Sequence, residues 1–243
     1  MVTDLDSNYT SPAGKEFSLV AGRFACISPA SSVLDAGCGY GEGVCNIADE
    51  FRCKAVAVDL NEDNIRAARQ RAEERKISHL IQFESENLLN LSPAHHGFDL
   101  ILAEGGILSL LGRETGLSLL GERLAPRGWL AFSDLILLTG IENIPREVLH
   151  IYENSRYHYE NEASYRKMIT GAGFDIQLMT LVPPSGWDNY YAHMARRLED
   201  NDGMFADPAV KKLFHREIDI FYRLEGFRYI GYLFGMLRKK SDL

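Results

Sequence analysis

The chain has 243 residues, 46% of them hydrophobic, which is enough to bury a full core in a single domain over 1–243 with some elaboration at its ends. Its formal net charge is −8 and its one basic run is Arg238-Lys239-Lys240, poor equipment for polyanions, so nucleic acid is excluded as an expected partner. No stretch of eighteen apolar residues and no basic-then-apolar start is visible, so neither a membrane span nor a secretion signal is expected and the reading is cytoplasmic. Cys26, Cys38, Cys45 and Cys53 form no Cys-x-x-Cys pair and read as reduced thiols.

An N-terminal arm, residues 1–29, starts as a polar loop and continues into residues 16–27. There Phe17, Val20, Phe24 and Ile27 recur at helical spacing and predict an amphipathic helix packed on a sheet. Residues 33–41 read Val-Leu-Asp-Ala-Gly-Cys-Gly-Tyr-Gly, an apolar run feeding Asp35 and then three alternating glycines. This is a strand ending in a tight turn, because Gly37, Gly39 and Gly41 allow dihedrals a Cβ forbids and let a ligand lie on the main chain. The helix expected from Gly43 onward aims unpaired N–H groups at the same place. A dinucleotide fingerprint needs glycines at i, i+2 and i+5, and the third position falls on Glu42, Val44 or Asn46 in the three registers. A pyrophosphate would also meet Glu42, whereas a ligand with an ammonium and ribose hydroxyls tolerates acids.

Residues 54–60 predict a second buried strand ending in Asp59, roughly twenty residues past the turn, where nucleotide folds place a carboxylate on ribose hydroxyls. The competing reading of Asp59 is the N-cap of the helix that starts near Asn61. A third strand, 80–83, runs into Glu84-Ser85-Glu86-Asn87, where a polar side chain can accept from an adenine amino group. A fourth, 98–104, ends in Glu104, and a fifth, 129–134, follows the turn Pro126-Arg127-Gly128. Next come a helix over 164–169, a sixth strand over 174–179, two helices up to Glu225 and a last strand over 227–236. Two connections exceed what a minimal sheet needs. Residues 140–162 carry Tyr152, Tyr157, His158 and Tyr159, and residues 181–226 carry two prolines followed by Trp187, Tyr190 and Tyr191. Insertions of this length are expected to be functional or structured in their own right, and these predict a lid that presents aromatic faces.

The ordered set VLDAGCGYG, VAVDLN, FESENL, FDLILAEGGI and LAPRGWLAFSD resembles the class I S-adenosylmethionine-dependent methyltransferases over about residues 30–180. More narrowly, the chain is similar to the small-molecule branch related to quinone and sterol biosynthesis. The resemblance implies an α/β fold: a Rossmann-like seven-stranded sheet with helices on both faces and a helical lid inserted near the C-terminus. It implies S-adenosyl-L-methionine as cofactor and S-adenosyl-L-homocysteine as product. It assigns Gly37, Gly39 and Gly41 to the methionine part, Asp35 to ordering the loop, Asp59 to both ribose hydroxyls, and Glu84 with Ser85 to adenine, and Cys38 and Leu60 are further expected cofactor contacts. The family most often has Asp where Glu84 stands, and Glu86 is the alternative.

The expected chemistry is direct, metal-independent methyl transfer to a small-molecule acceptor, with Glu104 as acid/base or acceptor-orienting residue. Tyr9, Tyr157, Trp187, Tyr190 and Tyr191 are the expected acceptor contacts, with His150, His158 and Tyr159 behind them. His95 and His96 fall in a loop expected to lie far from the ligand. Asp134 and Glu104 are available to a metal, but no third ligand is evident. The competing function is a non-catalytic S-adenosylmethionine-binding sensor or subunit. A homodimer is the assembly this reading allows.

Overall fold

The computed structural model describes residues 11–153, 160–200 and 207–240. The chain enters through helix α1 (Gly14–Phe24). It then alternates strand and helix through β1 (Ser32–Ala36), α2 (Glu42–Phe51), β2 (Lys54–Asp59), α3 (Glu62–Glu74), β3 (Ile81–Ser85) and β4 (Phe98–Ala103). Two helices, α4 (Ile107–Leu111) and α5 (Arg113–Arg123), lead to the long β5 (Leu124–Leu137). The rest is α6 (Arg146–Glu153), α7 (Glu162–Gly171), β6 (Phe174–Leu181), α8 (Pro184–Glu199), α9 (Pro208–Arg223) and β7 (Ile230–Lys239).

The seven strands lie in the order β3-β2-β1-β4-β5-β7-β6. β1 to β5 are parallel, while β7 runs antiparallel to both β5 and β6. From β1 the chain winds outward to β3 and then returns to place β4 on the other side of β1. That reversal leaves a crevice at the carboxyl ends of β1 and β4, where open α/β sheets take ligands. The sheet is buried on both faces. On one side it packs residues of α1, α2, α3, α6, α8 and α9, and on the other those of α4, α5 and α7. Near-continuous apolar strands follow from this two-sided burial.

Two local expectations are corrected. In α1 the buried residues are Ser18, Ala21 and Gly22, whereas Val20 and Phe24 are exposed. A Cβ on Gly22 would fall 2.2 Å from the Phe51 ring, so a small residue lets α1 approach α2 closely, while Phe17 and Ile27 pack into the core as expected. The turn at Pro126-Arg127-Gly128 does not precede β5 but lies inside it. The pairing jumps from Phe98↔Leu124 to Leu100↔Trp129, and Arg127 takes φ 61, a bulge that re-aims the strand.

Candidate active site

The glycine turn has the backbone its sequence demands. Gly37, Gly39 and Gly41 take φ of 78, 53 and 75, the region that disfavours a side chain. A Cβ on Gly37 would lie 2.1 Å from Ile107, and one on Gly41 2.6 Å from Ala68. Around Gly39 there is open space, so the main chain is bare there. The N–H groups of Gly37 and Cys38 both donate to the Val58 carbonyl, at 2.8 and 2.9 Å, tying the turn to the end of β2.

Asp59 completes that tie. Its Oδ2 accepts from the Gly39 N–H at 2.9 Å, and its Oδ1 accepts from Asn61 N–H at 2.9 Å and Asn64 Nδ2 at 3.1 Å. The helix-capping task falls to Asn61, whose side chain accepts from the Asp63 N–H. Leu60, next in the chain, is 73% exposed, an apolar side chain left uncovered beside a carboxylate.

Two more acids meet at the start of α2. A Cβ on Gly43 would lie 3.4 Å from Asp35 Oδ2 and 3.9 Å from Glu104 Oε2. Burial, followed by the charge of Asp35, pushes the Glu104 carboxyl up to about 8. Burial also raises Asp35 to about 7, against the bond it accepts from the Val44 N–H, and the charge of Asp59 adds to the rise. Glu104 Oε1 is buried and has no hydrogen-bond partner. The turn that carries Glu104 is held from β5, where Ser133 Oγ accepts from the Gly105 N–H at 3.0 Å and the Ser133 carbonyl accepts from Gly106 at 2.9 Å.

Other sequence expectations shift once the side chains are placed. Glu42 does not guard the turn against anions, because it is buried and paired with Arg71 at 3.0 Å and with Arg75. Asp134 is fully buried, accepting from Ser109, Arg113, Tyr165 and the Leu135 N–H. It belongs to an internal network rather than to a metal site, and the described residues contain no group of three His, Cys, Asp or Glu that could hold a metal ion. Glu84 accepts from Gln82 at 2.6 Å and lies 3.1 Å from His95 Nε2, so His95 is not remote from β3 but ties its loop to Glu84. Ser85 is exposed at the end of β3 opposite Asp59, and the Glu86 N–H donates to the Asp59 carbonyl at 3.0 Å. Burial pushes the Cys38 thiol far up and holds Cys45 at about 12, so neither supplies a thiolate.

The aromatic segment after β6 is packed, not presented. Trp187 is 4% exposed and Tyr191 1%. Both pack at a tilt against Phe221 of α9, with ring centres 4.9 and 4.8 Å apart, and Trp187 meets Tyr232 of β7 edge-on at 5.7 Å. Tyr190, half-buried, stands beside them. Rings spaced this way cement α8 to α9 and β7. His150 on α6 is exposed. Tyr9, Tyr157, His158 and Tyr159 lie outside the described residues, as does the Tyr152 side chain. One contact had no signal in the sequence: Arg197, in the last turn of α8, reaches Tyr40 of the glycine turn. Nothing in the local pattern separates it from its neighbour Arg196.

Residues 33–128 match the family described as methyltransferase domain. The chain is similar to phosphoethanolamine N-methyltransferase 1 of Zea mays, 28% identical over 167 residues, 68% of this chain and 32% of that protein. Similarity to the sarcosine/dimethylglycine N-methyltransferase of Halorhodospira halochloris is 27% over 152 residues, covering 61% and 53% of the two chains. The chain thus spans between about a third and about half of these curated relatives. Among solved structures, an S-adenosylmethionine-dependent methyltransferase from Thiobacillus denitrificans, in complex with S-adenosyl-L-homocysteine, superposes with a TM-score of 0.78. Its identity is 19%, with 98% of this chain and 96% of that one covered.

Proposed function

We propose that this chain, a class I methyltransferase by its sheet and by the family matched over its core, binds S-adenosylmethionine and passes its methyl group to a small-molecule amine. The observation that carries the reading is a convergence at one end of the sheet. Three positive-φ glycines, Asp59, an uncovered Leu60 and an unpartnered Glu104 oxygen all meet at the crevice beside β1. When bound there, S-adenosylmethionine supplies a methyl group already activated on a sulfonium. The chain's task is then mostly alignment, which alone accounts for large accelerations.

Asp59 receives a ribose hydroxyl on Oδ2, beside the bond it accepts from Gly39, and Leu60 lies against the adenine ring. Because Glu84 is engaged by His95 and Gln82, the adenine edge falls to Ser85 and Glu86. Cys38 and the open main chain at Gly39 face the methionine part, with Asp35 beneath. Glu104 is the proton acceptor. It takes a proton from the acceptor's ammonium, the nitrogen lone pair forms the N–C bond, and the C–S electron pair leaves on sulfur, giving S-adenosylhomocysteine. A carboxyl held at about 8 is a strong base for a carboxylate once ionised, so the exchange gains as pH rises through that value. Nitrogen is favoured because the relatives named above are N-methyltransferases. No step calls on a metal, and Asp134, the acid nearest in sequence logic to a metal ligand, is committed to Arg113, Ser109 and Tyr165.

α8 and α9 form the lid. Trp187 and Tyr191 stiffen it from within, leaving Tyr190 as the acceptor contact among the described residues of this segment, and Tyr9 and Tyr157 stay candidates for the same role. A non-catalytic binding subunit would share the whole cofactor site, but it gives the buried Glu104 oxygen no partner. The deciding experiment incubates the protein with methyl-labelled S-adenosylmethionine and a metabolite extract. Label in a small amine supports the reading, and binding without transfer to any acceptor overturns it in favour of the subunit.

A further inference from the structure

The last turn of α8 ends on the glycine turn. Arg197 is 5% exposed, its guanidinium carbon lies 4.9 Å from the centre of the Tyr40 ring, and Nη2 donates to the Tyr40 hydroxyl at 3.0 Å. Tyr40 sits between Gly39 and Gly41, and its carbonyl accepts from Arg71 of α3. The turn is therefore gripped from two helices, one next to it in the fold and one 157 residues away in sequence. The opposite end of α8 is seated just as closely. A Cβ on Gly186 would fall 2.7 Å from the Pro12 carbonyl oxygen, and Ser11, Pro12 and Ala13 are buried. From Gly186 to Arg197 is about 16 Å of helix, so α8 is a strut between the N-terminal arm and the glycine turn.

We propose that Arg197 is a positioning residue for the cofactor: by holding Tyr40 from the lid, it fixes the glycine turn and makes seating of α8 and binding of S-adenosylmethionine a single coupled equilibrium. The proposal rests on the cofactor reading above. Its physical basis is entropic. Glycines lose more backbone freedom on ordering than any other residue, and three of them alternate here, so a turn already clamped in its ligand-ready form binds with less ordering left to do. A stacked, hydrogen-bonded guanidinium suits the clamp because its planar charge attracts the ring face while its N–H groups set the direction. By reciprocity, whatever α8 contributes to cofactor affinity the cofactor returns as stability of α8.

The test is calorimetric titration with S-adenosylhomocysteine of the wild type, Arg197→Met, Tyr40→Phe and the double variant. It is paired with amide hydrogen exchange over residues 184–199, with and without the same ligand. The expected result is affinity about tenfold weaker in Arg197→Met, within the usual range of coupling between sites, and a smaller loss in Tyr40→Phe. The double variant should bind no more weakly than Arg197→Met, and ligand should slow exchange in α8 of the wild type far more than in Arg197→Met. Equal affinity of wild type and Arg197→Met, or exchange in α8 indifferent to ligand, overturns the coupling while leaving the cofactor reading intact. A wild type that does not bind S-adenosylhomocysteine overturns both. Should Arg197→Met not fold, Tyr40→Phe and Arg197→Lys decide alone, and wild-type affinity in both counts against the proposal.

Discussion

The two halves of the sheet present their functional ends by different means. From β1 to β4 the crevice is made of main chain and acids: glycines at positive φ, the Val58 carbonyl holding two N–H groups, Asp59 at the end of β2 and Glu104 just after β4. From β5 to β7 the sheet carries helices held by aromatic contacts, Trp187 and Tyr191 of α8 against Phe221 of α9, and Trp187 against Tyr232 of β7. The first half permits few alternatives, since a Cβ or a missing carboxylate breaks it. The second is a packing solution, and packing accepts many sequences. A run of aromatic residues after a pair of prolines is therefore weak testimony for a contact surface.

The sharpest way to break that contrast is Trp187→Ala. If the ring is packing, removing it costs about 3–5 kcal/mol and lowers Tm by roughly 10 °C in a protein of this size, visible in a thermal melt. A variant that melts like the parent but shows a raised acceptor KM would return Trp187 to the acceptor site. Next in size is Asp59→Ala. Hydrogen bonds to a charged group contribute about 1.5–3 kcal/mol each, so affinity for S-adenosylhomocysteine should fall at least about tenfold. Calorimetry showing unchanged affinity in the folded variant would remove Asp59 from the ribose.

A subtler effect separates the halves by pH. Asp35 and Glu104 keep their protons in the folded protein up to about 7 and about 8, whereas in an unfolded chain carboxyls release them near pH 4. The folded state thus binds more protons across that window, and this pair's contribution to stability is present below about pH 4 and lost as pH rises through 7 to 8. Glu104→Gln should therefore melt above the parent at pH 8 and close to it at pH 5. Equal melts at both values would mean that Glu104 is solvated. In the same variant kcat should drop, while in the parent kcat/KM should rise with pH through about 8, as a carboxylate base requires. The smallest expected effect is none at all: a chelator should leave the rate intact, and activity lost to chelator and restored by magnesium would replace the direct mechanism.

Much of the first half was legible because its strands are apolar runs that end in acids, a pattern two-sided burial enforces, and because the spacing of Gly37, Gly39 and Gly41 admits few turns. Asp59 could be placed beside that turn by its distance in sequence, although only the structure shows Asn61 taking the cap. What failed to show depends on partners far along the chain. Gly22 lies against α2 because a small residue permits the approach, and the periodicity of large residues held for Phe17 and Ile27 but not for Val20 and Phe24. Glu84 looked free until His95 arrived from another loop. Arg197 looked like any basic residue near a helix end until Tyr40 lay beneath it.

The antiparallel position of β7 bears on how the molecule is made. Its residues 230–239 pair with Trp129 through Leu137 on one side and Phe174 through Leu181 on the other, while β5 and β6 do not touch as neighbours in the sheet. As the polypeptide leaves the ribosome, β5 exposes a row of unsatisfied amides and carbonyls for the time it takes to translate about a hundred more residues, and β6 has no partner at all. A chain stopped before Ile230 would keep the five parallel strands but open one edge on β5 and leave β6 unpaired, a template for aggregation. A strand translated after both of its neighbours is the one that makes the second half of the sheet a single object.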